Sequence, residues 1–227
     1  MKANGKGNIK RNCLIICNGD FSKKLLEKFK PHNKPSKTFI TIACDGAANL
    51  LKKYSFIPDY ITGDFDSITP ESLTFFKNKN VIIKKNKNQN KNDLAKAFDL
   101  AIMLRLKNVF VIGYSGNRID HTLNNFSILK KYSNKSNIKF IDDEFEIFYA
   151  GKISEFDYKK DEVVSLMGLP EASKIKTKGL KYQLKNEKLK FGKREGALNV
   201  STGNHVKIKK GKGSLLVFKK HFRENCR

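Results

Sequence analysis

The chain has 227 residues, 39% of them hydrophobic, and a formal net charge of +24 at pH 7. That length fits one large or two small domains, and Phe and Tyr recurring in short apolar runs exclude global disorder. No apolar run approaches the roughly 20 residues that span a bilayer, which argues against an integral membrane protein.

Taken in chain order, the first apolar run is Cys13-Leu14-Ile15-Ile16-Cys17, preceded by Lys10 and Arg11. It is too short for a signal-peptide core, and Asn18-Gly19-Asp20 is a poor cleavage site, so it reads as the first strand of a cytoplasmic protein. Further strands are expected at Thr38–Cys44, Tyr60–Thr62, Val81–Ile83, Val109–Gly113 and Ile138–Ile141. Between them Phe21–Phe29, Ala47–Tyr54, Asp93–Leu106 and His121–Tyr132 carry apolar residues at helical spacing. Alternation of this kind implies an α/β fold, a mainly parallel sheet flanked by helices on both faces, with ligands at the strand carboxyl ends.

After about residue 143 the pattern changes. Val163–Met167, Lys174–Thr177, Lys181–Leu184, Val206–Ile208 and Leu215–Phe218 read as strands separated by Gly-containing turns, with no helix between them. That is the signature of a small all-β sandwich or barrel. The expected organisation is an α/β domain over residues 1–142 and a β-sandwich domain over 143–227.

Cys13, Cys17, Cys44 and Cys226 form no CxxC pair and have no neighbouring His to complete a zinc set, so they read as free structural thiols. The positive charge is almost all lysine, since Arg occurs only at 11, 105, 118, 194, 223 and 227. Nucleic-acid readers favour the planar fork of Arg, and the Lys/Asn stretch from 77 to 91 holds no aromatic residue to stack on a base. A lysine-rich solvated surface accounts for the composition.

Chemistry concentrates at four places. In Pro58-Asp59-Tyr60-Ile61-Thr62-Gly63-Asp64-Phe65-Asp66-Ser67 a strand runs into two acids, Asp64 and Asp66, which can aim at one point if the chain is extended there. Such oxygens suit Mg²⁺, although two acids on a solvated turn are the plain alternative. Asp45 and Asn49 follow the second strand, Gln89 and Asp93 precede the third helix, and Gly113-Tyr114-Ser115-Gly116-Asn117-Arg118-Ile119-Asp120-His121 follows the fifth strand. Acids at helix starts can be simple caps. Gly113 and Gly116 permit close phosphate approach, and Arg118 can neutralise it. Four clusters at one edge of one sheet point to a site for phosphate chemistry. No G-x-x-x-x-G-K-[ST] loop is present, which disfavours P-loop kinases.

In these residues the chain resembles the thiamine pyrophosphokinase family. The blocks at 44–49, 58–67, 89–93 and 116–125 look like those of its catalytic domain, in order. Those at 179–184 and 199–204 resemble its thiamine-holding segments. The resemblance implies transfer of a pyrophosphoryl group from ATP to the thiamine hydroxyl with release of AMP, in a homodimer whose active sites lie between subunits. It implies Mg²⁺ on Asp64, Asp66 and Asp93, and catalytic roles for Asp66, Asp93, Arg118 and Asp120. ATP and phosphate contacts fall on Asn18, Asp45, Asn49, Gln89, Arg118, His121 and Asn124, and thiamine contacts on Tyr182, Ser201, Thr202 and Asn204. Tyr182 stands where the family usually has a stacking Trp, Asn92 where it has Thr, and Gly203 where many relatives have Ser. The proton of the attacking alcohol goes to Asp120 or to a metal-bound carboxylate. The alternatives are a pyrophosphokinase for another heterocyclic alcohol, such as a pterin, and a Lys-rich nucleic-acid-binding module.

Overall fold

The computed structural model describes residues 12–29, 39–203 and 205–220. The chain divides into two compact units, Met1–Ile138 and Lys139–Arg227.

In the first unit, strands β1 (Asn12–Ile16), β2 (Phe39–Cys44), β3 (Tyr60–Gly63), β4 (Ile82–Lys85) and β5 (Asn108–Ile112) alternate with five helices. These are α1 (Lys23–Glu27), α2 (Ala47–Lys53), α3 (Pro70–Asn78), α4 (Asp93–Met103) and α5 (Ile119–Tyr132). The strands lie in the order β4-β3-β2-β1-β5, each pair parallel. The chain builds outward from β1 to β4, then α4 carries it back and β5 joins the other side of β1. Helix α4 packs on β1, β2 and β3. Central β1 is buried on both faces, Cys13, Leu14, Ile15 and Ile16 all being inaccessible, as a covered parallel sheet requires. At the edge, β4 exposes Ile82 and ends in Lys84-Lys85, charges that discourage a further strand from pairing there.

The structure departs from the sequence reading in identifiable ways. Helix α3 is not among the expected elements, although Thr69 caps it by accepting from the Ser72 N–H at 3.2 Å, and Pro70 opens its first turn. Helix α1 is only five residues long, from the Ser22 cap to Glu27. Helix α4 stops at Met103, before the expected Leu106, where Arg105 turns to φ +59°.

The second unit contains no helix among the described residues. After β6 (Asn137–Ile141), in which the chain passes between the units, come β7 (Phe145–Tyr149), β8 (Ile153–Asp157), β9 (Val163–Lys178) and β10 (Lys185–Lys190). They are followed by β11 (Gly196–Val200), β12 (His205–Lys209) and β13 (Gly213–Lys220). Every pairing in this unit is antiparallel: β6 with β7, β7 with β13, β13 with β9, β9 with β12, and β12 with β8, while β10 and β11 also pair with β9. The two expected strands at 163–167 and 174–177 are one strand. Its buried residues fall at even positions through Ala172, then at Ile175 and Thr177. Lys174, at φ +53°, supplies the extra residue of a bulge that reverses the alternation, so the period appears broken in the sequence. The segment 181–184 is not a strand but a turn, joined to its neighbours by the Leu180–Ser201 bridge. β7, β8, β10 and β11 were not anticipated. One cluster including Val164, Leu166, Ile175, Leu189, Val206 and Val217 forms the core of this unit.

No described helix is long and apolar enough to cross a membrane. Replacing Thr69 by Ala removes the α3 cap and is expected to cost about 1 kcal/mol of unfolding free energy in urea titration, with Thr69→Ser close to the parent.

Candidate active site

Because β1 is flanked by β2, reached outward, and β5, reached by return, the loops leaving their carboxyl ends diverge and leave a crevice. The loop after β1, Asn18-Gly19-Asp20, lies against the loop after β5. The Gly19 N–H donates to the Gly113 carbonyl at 2.9 Å, and the Asp20 N–H to that of Ser115 at 2.7 Å. This approach demands glycine: a Cβ on Gly19 would stand 2.1 Å from the Ser115 oxygen, and one on Gly113, at φ +65°, 2.4 Å from the Cys17 oxygen. The resulting cleft has a volume of about 780 Å³.

Of the residues expected in the site, Asn18, Asp64, Asp66, Gln89, Asp93, Arg118, His121 and Asn124 line this cleft. Asp45 and Asn49, expected as nucleotide contacts, do not, because their side chains are spent holding the loop after β3. Asp45 is 1% exposed, and its carboxylate accepts the N–H groups of Ser67 at 3.2 Å and Ile68 at 3.0 Å. Asn49 accepts from the Thr69 N–H at 3.0 Å and donates to the Ser67 carbonyl at 2.9 Å.

Asp64 and Asp66 both line the cleft, and Phe65 between them sits at φ +71° rather than in extended conformation. The carboxylates that converge are Asp45, Asp64 and Asp93, which offer oxygens within 4.8 Å of one another. Asp66 stands beside them and accepts from the Ser67 hydroxyl at 2.9 Å. Burial, together with a hydrogen bond to the Asp66 carboxyl, pushes the Asp45 carboxyl up to about 6, while the Ser67 hydroxyl and Asp45 hold Asp66 low.

Sequence reasoning missed Lys96. Its side chain is 2% exposed, and its ammonium lies 3.0 Å from both Asp64 Oδ2 and Asp93 Oδ1. Burial alone would depress its pKa, but the two carboxylates more than offset that and raise it. Asp93 is itself pushed up by burial against the pull of Lys96. The available signal was the Asp93/Lys96 spacing of three at a helix start, which places the two side chains together.

The start of α4 is fixed by Asn92, whose side chain accepts from the Ala95 N–H at 2.9 Å and donates to Asn125 at 3.1 Å. Asn125 in turn donates to the Tyr114 carbonyl at 2.7 Å. Asn replaces Thr here with the same capping ability. Lys91 and the Tyr132 hydroxyl both donate to Asp99, at 2.6 and 2.8 Å, tying the 86–92 loop to α4 and α5.

Arg118 forms a forked pair with Asp120, Nε to Oδ1 at 2.9 Å and Nη2 to Oδ2 at 2.6 Å. The guanidinium holds the Asp120 carboxyl well below the usual carboxylate range. A carboxylate so held is a poor proton acceptor, and Asp120 does not line the cleft.

In the second unit, Asn199 grips the backbone of residue 182, accepting from its N–H at 3.0 Å and donating to its carbonyl at 2.7 Å. Above this clamp the Tyr182 ring is exposed, with the Lys181 ammonium 5.6 Å from its centroid. Ser201 is buried and donates to the Gly203 carbonyl at 2.6 Å, and the Thr202 N–H donates to the Gly179 carbonyl at 3.0 Å. Asn204 and Cys226 lie outside the described residues. Cys13, Cys17 and Cys44 are buried free thiols.

Residues 32–141 match a family model described as thiamin pyrophosphokinase, catalytic domain, and residues 153–215 one described as thiamin pyrophosphokinase, vitamin B1 binding domain. Thiamin pyrophosphokinase 1 of Caenorhabditis elegans is 28% identical over 204 residues, covering 83% of this chain and 82% of that protein. Thiamine pyrophosphokinase 1 of rice is 28% identical over 66% of this chain and 62% of its own length. Among solved structures, thiamin pyrophosphokinase from Candida albicans superposes with a TM-score of 0.80 at 20% identity, covering 93% of this chain and 90% of that one. The Bacillus subtilis thiamine pyrophosphokinase gives 0.77 at 22%, covering 92% and 99%.

Replacing Asp45 by Ala strands the buried Ile68 N–H, a loss of about 1–3 kcal/mol, and removes the acceptor of the more exposed Ser67 N–H. Urea unfolding of Asp45→Ala is expected to show a loss of that order, and Asp45→Asn, which keeps an acceptor oxygen, a clearly smaller one.

Proposed function

From the premise that the chain belongs to the thiamin pyrophosphokinase family, we propose that it transfers the terminal pyrophosphoryl group of ATP to the hydroxyl of thiamine. The thiamine oxygen attacks the β-phosphorus, the bond from that phosphorus to the α-phosphate bridging oxygen breaks, and AMP leaves with it. Such a transfer needs in-line positioning and neutralisation of oxygen charge more than covalent help. The observation that carries this reading is the convergence of carboxylates and Arg118 in one cleft at the strand-order reversal.

The donor set fits Mg²⁺, since three hard carboxylate oxygens within 4.8 Å suit an ion that takes few protein oxygens and keeps room for phosphates. Asp64 and Asp93 would hold it from the cleft wall, with Asp45 behind them and Asp66 adding charge. Bound there, the ion supplies neutralisation of the phosphate oxygens. Arg118 faces the same space and can exchange part of its fork with Asp120 for a phosphate, a planar recognition lysine does not offer. Gln89, 3.4 Å from Asp64, orients that carboxylate. Asn18, His121 and Asn124 provide polar contacts for the nucleotide, and a carboxylate other than the paired Asp120 takes the alcohol proton.

Thiamine is assigned to the second unit, read as a β-sandwich, with the Tyr182 ring as stacking platform and Ser201, Thr202 and Asn204 as its polar edge. The match of that unit to a vitamin B1 binding domain favours thiamine over a pterin alcohol. A cytoplasmic homodimer with sites between subunits completes the proposal.

Incubation with ATP, Mg²⁺ and thiamine is expected to give AMP and thiamine diphosphate in equal amounts by chromatography. Accumulation of ADP overturns the single-step reading. Asp93→Asn keeps size but removes charge, and a deficit of about 3–4 kcal/mol in the transition state appears as roughly 10²–10³ in turnover.

Tyr182→Ala removes a stacking face worth roughly 0.5–1.5 kcal/mol beyond area burial, so the thiamine KM should rise several-fold while the ATP KM is unchanged. Unaltered thiamine kinetics in that variant would remove the platform from the proposal.

A further inference from the structure

Lys96 is held by two of the carboxylates that a metal ion would use. Its side chain is 2% exposed, and its ammonium is held at 3.0 Å by Asp64 Oδ2 on one side and Asp93 Oδ1 on the other. Lysine is rarely so buried unless its charge is matched, and here two carboxylates match it. Those residues supply two of the three converging oxygens, and Asp64 Oδ2 also receives the Gln89 amide at 3.4 Å. A divalent ion bonded to the same carboxylates would bring a second cation close to the ammonium, and the two cations repel. The lysine stem is long and rotatable, so the ammonium can leave if it finds another anion.

We propose that Lys96 is the resident cation of this cluster and that a divalent ion enters by displacing its ammonium, so that metal is held tightly only with the nucleotide. The inference rests on the pyrophosphoryl-transfer reading, because nucleotide phosphates are the anions that receive the displaced ammonium. The cluster then stays neutralised in both states, first by lysine and then by metal. Lys96 acts as a positioning residue, setting the order in which metal and nucleotide arrive.

The test uses Mn²⁺ as a paramagnetic probe, with binding to the nucleotide-free full chain followed by loss of the free-ion resonance signal. Wild type is expected to bind Mn²⁺ weakly alone and at least roughly tenfold more tightly with a non-hydrolysable ATP analogue. Lys96→Met, and Lys96→Gln should the first variant fold poorly, are expected to bind the ion alone at least roughly tenfold more tightly than wild type. Their melting temperatures should fall without metal and recover with added Mg²⁺, whereas wild type should barely respond to Mg²⁺ alone. Tight Mn²⁺ binding by nucleotide-free wild type overturns the proposal, as do variants whose ion affinity is unchanged or lower. Thiamine diphosphate formation by wild type, assayed separately, reports on the underlying reaction and distinguishes its failure from that of the lysine exchange.

Discussion

A parallel sheet has to bury its central strand on both faces, and β1 does so with four consecutive inaccessible residues, Cys13 to Ile16. That burial leaves only the strand ends for polar chemistry. With β2 on one side of β1 and β5 on the other, the chain leaves in opposite directions at their carboxyl ends, and the crevice between becomes the cleft. Gly19 and Gly113 allow its two innermost loops to touch. Each functional side chain of the first unit is then delivered by a loop or helix start that the sheet has already positioned.

Electrostatics decides what can occupy that edge. Two like charges about 4 Å apart repel by about 4 kcal/mol at an effective dielectric near 20, so Asp45, Asp64, Asp66 and Asp93 cannot all be ionised and unpaired together. The protein divides the problem. Asp45, its carboxyl pushed up by burial, binds two backbone N–H groups, and Asp66 is held low by the Ser67 hydroxyl. Lys96 sits between Asp64 and Asp93. Asp45 and Asn49 together fasten the loop after β3, so a segment carrying two cleft acids is rigidly held from beneath.

In the second unit the long strand β9 is the common partner of four others, and the bulge at Lys174 lets one strand serve two directions of pairing. Asn199 then fixes the backbone of residue 182 by two hydrogen bonds, so that an exposed aromatic ring stands on a rigid turn rather than on a strand. Order in that backbone, rather than burial of the ring, gives Tyr182 its definition.

Features that depend on local pattern could be read directly from the order of residues. The five strands of the first unit, most of its helices, the change to β structure after about 143, the four chemical blocks and the family they resemble were all legible, because hydrophobic period and motif spacing are properties of neighbours along the chain. The sequence did not reveal α3, where a capped nine-residue helix carries few apolar positions, nor the continuity of β9, where one bulge residue reverses the alternation. Nor did it show that Asp45 comes within 4.8 Å of Asp64 and Asp93, or that Phe65 between Asp64 and Asp66 takes a left-handed conformation. Asp45 and Asn49 suit nucleotide contacts by residue type, but folding turns them to backbone N–H and carbonyl groups 18 to 23 residues away. Lys96 was easily overlooked, because in so basic a chain its spacing of three from Asp93 is a weak signal. Its role arises only when folding brings Asp64, 32 residues away in sequence, to the same point as Asp93, for burial and Coulomb interaction depend on distance in space and not on order in the chain.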